Sequence, residues 1–167
     1  MLRRAEVGDE EEVARIHVRS WQVGYRGLID EQFLAGLQPA EWAKRYTFDG
    51  TGDDSLLTTL AVEAGVIRGF VTSGMFRDEV LPPSGEICAI YVDPTWWGSG
   101  IGQSLLVSAR ATLRARGFVD AYLWVLSGNA RADRFYRGDG WLLDGTRRTV
   151  TVHGIEVDEL RYHSQLR

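Results

Sequence analysis

The sequence predicts an α/β protein, a mixed and mostly antiparallel β-sheet with helices against both of its faces. Three observations lead there. With 167 residues, of which 44% are hydrophobic, the chain can close one well-filled core and has little material for a second, so a single domain over residues 1–167 is expected. No repeat, low-complexity tract or linker composition interrupts it. Segments of helical periodicity alternate with β-branched runs in the order helices, hairpin, strand, helix, strand, helix, strand pair.

A short strand is expected at residues 2–5. "GDEEEVARIHVRSW" then leads with acidic residues and places Val13, Ile16, Val18 and Trp21 at roughly helical spacing, which predicts an amphipathic helix. "GLIDEQFLAGL" and "PAEWAKRYTF" read as two shorter helices, the second with Pro39 in its first turn, and "DGTGDDS" as the loop that ends the helical region. "LLTTLAVEAG" and "VIRGFVTSGMF" meet at Ala64 and Gly65 as an antiparallel hairpin. In "GEICAIYVD", simple alternation puts Glu86, Cys88, Ile90 and Val92 on one face and Ile87, Ala89 and Tyr91 on the other. Both faces are mostly apolar, so the strand is expected to be central, and Pro94 stops it.

From Ser99 to Arg116, Ile101, Leu105, Ala109 and Leu113 recur four apart, predicting a long helix closed by Gly117. "DAYLWVL" follows as a strand, "NARADRFYRGDG" as a short helix opened by Asn129, and "WLLDGTRRTVTVHGIEVDELRY" as a terminal strand pair.

Composition excludes several functions. The formal net charge of −4 removes the basic footprint of a general nucleic-acid binder. The charged opening, "MLRRAEVGDEEEVARI", has no apolar stretch long enough for a signal peptide or a membrane span, so a cytoplasmic chain without a membrane partner is expected. Cys88 is the single cysteine, and His17, His153 and His163 are scattered, so no metal motif is visible and no metal is expected. Without an identifiable histidine partner, Cys88 is read as a small packing residue and not as a nucleophile.

"DPTWWGSGIGQSLL" is the conspicuous stretch, with Gly98, Gly100 and Gly102 just ahead of the long helix. Glycines there let backbone N–H groups approach an anion at the positive end of a helix. A lysine-dependent phosphate loop is excluded because Gln103 stands where lysine is needed, and a dinucleotide fingerprint fails on its glycine spacing. A plain tight turn beside Trp96 and Trp97 remains the alternative.

The stretch resembles the pyrophosphate loop of the GNAT-type N-acetyltransferases, Gln/Arg-x-x-Gly-x-Gly/Ala at the mouth of a long helix, with Gly100 and Gly102 at the two glycine positions and Trp97 in place of Gln/Arg. "LWVLSGNARADRFYRGDGW" is similar to a later motif of the same family at Asn129, Ala132, Phe135, Tyr136, Gly140 and Trp141. The resemblance implies the GNAT fold, a six- to seven-stranded sheet whose central strands 4 and 5 splay apart. It implies acetyl-CoA as cosubstrate and direct transfer of its acetyl group to a primary amine, on a small molecule or a peptide, in a ternary complex. A homodimer through the late strands is a further expectation. A non-catalytic acyl-CoA-binding or sensing module on the same fold is the alternative.

By the same resemblance, Ile90, Tyr91 and Val92 would pair through their backbone with the pantetheine arm. Gly98, Ser99, Gly100, Ile101, Gly102 and Gln103 would hold the pyrophosphate, with Asn129 assisting, and Trp97 would be dispensable packing instead of a phosphate ligand. Tyr136 matches the residue that can protonate the leaving thiolate, its alternative being an aromatic packing residue. An alkyl ammonium must lose a proton before attack, and Glu86, at the start of the central strand, is the candidate base, directly or through a water; the alternative is a solvated strand-end carboxylate. Trp21, Tyr25 and Arg26 are candidates for the acceptor pocket, although aromatic residues at helical spacing also read as core.

Overall fold

The computed structural model describes residues 1–49, 56–76, 78 and 80–167; apart from Asp49, the loop expected at "DGTGDDS" lies outside the described residues. The elements follow the expected order: β1 (Leu2–Arg4), α1 (Glu10–Gly24), α2 (Glu31–Ala35), α3 (Pro39–Ala43), β2 (Leu57–Glu63), β3 (Val66–Phe76), β4 (Ser84–Val92), a 3₁₀ turn at Pro94–Trp96, α4 (Ile101–Ala115), β5 (Asp120–Leu126), α5 (Ala130–Gly138), β6 (Leu142–Val152) and β7 (Ile155–Gln165). They form one seven-stranded sheet in the order β1-β2-β3-β4-β5-β7-β6. Every neighbouring pair is antiparallel except the parallel pair β4 and β5.

Local chemistry sets the boundaries. The β2–β3 turn takes two left-handed residues, Ala64 (φ 49°) and Gly65 (φ 77°), the conformation whose twist matches a hairpin. Helix α4 runs from the left-handed Gly100 to a C-terminal turn in which Gly117, at φ 89°, lets the Phe118 N–H reach back to the Leu113 carbonyl.

Two helical layers cover the sheet. Leu105, Leu106, Ala109 and Leu113 of α4 are buried against Ile87, Val92, Ala121, Leu123 and Val125. On the opposite face α1 buries Val13, Ala14, Ile16, Val18 and Trp21, with α2 and α3 adding Leu34 and Trp42.

Strand β4 departs from simple alternation. Thr72 pairs with Ala89 but Ser73 pairs with Ile87, so Cys88 is the extra residue of a β-bulge. Ile87, Ile90 and Val92 thereby face α4, whereas Ala89 and Tyr91 pack toward α1. A Cβ on Gly85 would meet Leu113, so Glu86 turns away from α4 and shares the α1 side. Two expectations are corrected: Glu86 is not on the face of Ile90 and Val92, and Cys88 is exposed instead of packed.

Gly69 on β3 sits where the chain approaches β4 most tightly. A Cβ there would lie 2.9 Å from the Tyr91 carbonyl oxygen, 3.1 Å from Val92 Cγ2 and 3.2 Å from Leu105 Cδ1. Gly69→Ala is expected to cost about 1–3 kcal/mol through overpacking. In urea titrations the midpoint should fall with an unchanged m-value.

Candidate active site

Strands β4 and β5 pair at only two positions, Gly85 with Ala121 and Glu86 with Tyr122, and separate beyond them. A cavity of about 530 Å³ opens along the gap, walled by β4, β5, the end of α1, the glycine loop, α5 and the β6–β7 hairpin. The Asp93 N–H donates to the Arg68 carbonyl at 2.7 Å, which fixes the parity of the β3–β4 ladder. By that parity the backbone groups of Tyr91 point toward β3, while those of Ile90 and Val92 point into the gap. The contribution of Tyr91 to the cavity is therefore its side chain.

The glycine loop presents donors at one end of the gap. The first α4 bond runs from the Ser104 N–H to the Gly100 carbonyl, 3.0 Å, leaving the N–H groups of Ile101, Gly102 and Gln103 without partners inside the helix. Gly98 (φ 79°) and Gly100 (φ 87°) take left-handed conformations that a side chain would strain. Gly98, Gly100, Gly102 and Gln103 line the cavity. Ile101 instead packs against the α4 core. Ser99 is committed elsewhere: its N–H (3.3 Å) and its hydroxyl (2.6 Å) both donate to the Trp96 carbonyl. These donors, the gap-facing groups of Ile90 and the Val92 N–H fit an elongated ligand with a phosphate-bearing end.

Trp97 packs here, as expected, but it is more than filler. Its indole N–H donates to the Val92 carbonyl at 2.8 Å, which also accepts from the Ser20 hydroxyl at 3.0 Å. The Arg131 guanidinium lies over the Trp97 ring, 3.4 Å from its centroid. A Cβ on Gly24, at the end of α1, would touch both side chains at 3.6–3.7 Å. One indole thus joins the loop to β4, α1 and α5.

Three tyrosines occupy the middle of the cavity. Tyr136 comes from α5, Tyr25 from the residue after α1 and Tyr91 from β4. The Tyr25 and Tyr91 hydroxyls hydrogen-bond each other, and Trp21 Nε1–H donates to the Tyr91 hydroxyl at 3.0 Å. Burial pushes all three phenols above their ordinary range, so each keeps its proton at neutral pH. Asn129 lines the cavity while its side chain caps α5 by accepting from the Ala132 N–H at 3.1 Å. Arg26 is exposed and lies outside the lining.

Beyond the tyrosines lie Glu86, Trp124, Arg148 and Glu159. Arg148 lies flat on Trp124, 3.9 Å from the ring centroid, and its Nε–H donates to Glu159 at 2.7 Å. Glu86 is half-buried; loss of hydration raises its pKa, with Arg148 opposing and Glu159 reinforcing the shift. Arg131, Arg148, Glu159 and Trp124 were not singled out from the sequence. The signal for one pair was present: a two-residue turn at His153–Gly154 puts Arg148 opposite Glu159 by counting back along both strands.

Beneath the cavity, His17 stacks on Tyr91 at 4.3 Å and meets the edge of Trp42 at 4.4 Å, and its Nδ1 is hydrogen-bonded with the Tyr46 hydroxyl. His153 from the β6–β7 turn packs 4.2 Å from Trp42 and 5.6 Å from Trp21, closing that end. His17 and His153, given no role in the sequence, here support the floor and rim, whereas His163 on β7 is hydrogen-bonded with Asp120.

The sequence model described as "Acetyltransferase (GNAT) family" matches residues 13–141. An uncharacterized N-acetyltransferase, YuaI, from Bacillus subtilis is 28% identical over 130 residues, covering 77% of this chain and 72% of the relative. An uncharacterized N-acetyltransferase from Archaeoglobus fulgidus is 31% identical over 137 residues, covering 81% and 88%. Among solved structures, a PaiA N-acetyltransferase from Thermoplasma acidophilum in complex with coenzyme A superposes with a TM-score of 0.76 over 99% of this chain and 98% of that one, at 17% identity.

The floor has a pH signature. Desolvation, with the nearby His153 and Arg45 adding to it, lowers the His17 pKa to about 3, against about 6.5 in an unfolded chain. Below pH 6.5 the unfolded chain binds a proton that the folded ring refuses, so this contribution to stability is intact above pH 6.5 and is lost as pH falls toward 3. Urea denaturation should show a loss of roughly 1 kcal/mol per pH unit across that window, and His17→Phe should flatten it.

Proposed function

Because the chain belongs to the Acetyltransferase (GNAT) family and is an acyltransferase, we propose that it transfers the acetyl group of acetyl-CoA to a primary amine by direct attack in a ternary complex in the cytoplasm. One observation carries this reading. A gap between two parallel strands, edged by the backbone of Ile90 and the Val92 N–H, joins the free N–H groups at the start of α4 to a chamber holding Tyr136 and Glu86.

Acetyl-CoA, when bound, supplies the thioester and its thiolate leaving group. Gly98, Gly100, Gly102 and Gln103 would receive the pyrophosphate through backbone donors, and the gap-facing groups of Ile90 and the Val92 N–H would pair with the pantetheine arm. An N–H of β4 aimed at the thioester oxygen would stabilise the charge that develops there, a contribution of about 3 kcal/mol for one such donor. Glu86 would accept the proton lost by the amine, directly or through a water, and its raised pKa brings it closer to that task than an ordinary carboxylate. Tyr136, held protonated by burial, would donate to the departing sulfur.

Thiol release from acetyl-CoA with a panel of amines tests the assignment. Tyr136→Phe should lower kcat about 100-fold with little change in the KM for acetyl-CoA. Glu86→Gln should lower kcat/KM by a similar factor and abolish the acid limb of its pH profile. That limb, in the unmodified enzyme, should lie above the ordinary carboxylate range. Binding of CoA with no turnover on any amine would instead favour an acyl-CoA sensor.

A further inference from the structure

We infer that the acceptor is a primary monoamine on a flat apolar body, of the arylalkylamine kind, without a carboxylate or a second cationic centre; this rests on the transferase reading above. The cavity is lined by four charged side chains, Glu86, Arg131, Arg148 and Glu159. Arg131 belongs to the loop end, stacked on Trp97. The charges that act on Glu86 are those of Arg148 and Glu159. Arg148 and Glu159 are already bonded to each other, and Arg148 is further held on Trp124. Among the described residues the Glu86 carboxylate has neither ion-pair nor hydrogen-bond partner, so this end of the cavity sets two carboxylates against one guanidinium and carries one negative charge in excess.

One carboxylate matches one ammonium. A polyamine would bring a second cation to a site whose other carboxylate is neutralised, and an amino acid would bring a carboxylate toward Glu86 with no free guanidinium to receive it. The walls give the rest of the ligand its shape. Trp21, Tyr25, Trp124, Leu126, Val152 and Val157 line the same cavity with rings and branched chains. Of the lining indoles, the Trp124 N–H is buried without a partner, and those of Trp21 and Trp97 are spent on Tyr91 and Val92.

The decisive experiment uses acetyl-CoA with four acceptors: 2-phenylethylamine, phenylalanine, spermidine and a short peptide with a free N-terminus. The expected result is a kcat/KM for 2-phenylethylamine at least tenfold above each of the others. Two variants then move the charge in opposite directions. Glu159→Gln releases Arg148, and should narrow the gap between 2-phenylethylamine and phenylalanine at least threefold. Arg148→Gln leaves Glu159 bare, and should narrow the gap to spermidine instead. Preference for phenylalanine, spermidine or the peptide, or ratios that move in neither variant, would overturn the inference and leave the transferase reading standing. Absence of turnover with all four and with a wider amine panel, in protein whose melting temperature still rises with CoA, would overturn both.

Discussion

The brevity of the β4–β5 pairing governs the rest of this molecule. Parallel neighbours that stayed in register along their length would bury their amide groups in one another and leave nothing for a ligand. Here the ladder stops after Glu86 and Tyr122. The bulge at Cys88 lies immediately beyond, and increased local twist is what a bulge imposes. The unpaired backbone that results would be a liability at an open sheet edge. Inside the fold it is screened by α1, α5 and the glycine loop, and it becomes the wall of the cavity.

The same arrangement separates charge along the cavity. Helix α4 directs free N–H groups and α5 brings Arg131 toward one end, while the hairpin of β6 and β7 brings Glu159 with its partner Arg148 to the other, where Glu86 waits on β4. Between them lie three phenols that burial keeps neutral. A ligand that is anionic at one end and meets a cation at the other is therefore oriented before any single hydrogen bond is counted.

Much of this was legible in the chain. The order of elements, the buried faces of α1 and α4 and the donor-rich loop all follow from periodicity and glycine placement, because those signals are local. What escaped depends on contacts between distant segments. Simple alternation puts Glu86 on the wrong face and Cys88 in the core, because a bulge is set by the partner strand. Ser99 looked like a loop donor, yet both its donors turn back onto Trp96. Arg131 attracted no notice because its significance lies in Trp97, more than thirty residues earlier in the chain. From sequence alone Trp97 reads as a departure from the loop's usual pattern and as dispensable packing.

That stack has a consequence for how ligands arrive. A guanidinium held by a carboxylate is largely neutralised at a distance, whereas one held on an indole ring keeps its full charge, since the ring contributes a quadrupole and no opposing ion. Arg131 has no carboxylate partner among the described residues and remains partly open to solvent. Its field therefore reaches into the surrounding water over a Debye length, about 10 Å at 0.1 M salt. On a chain whose overall charge is −4, this makes the mouth of the glycine loop a local attractor, so that the rate of capture of a polyanion there would depend on ionic strength even if backbone donors supplied most of its grip.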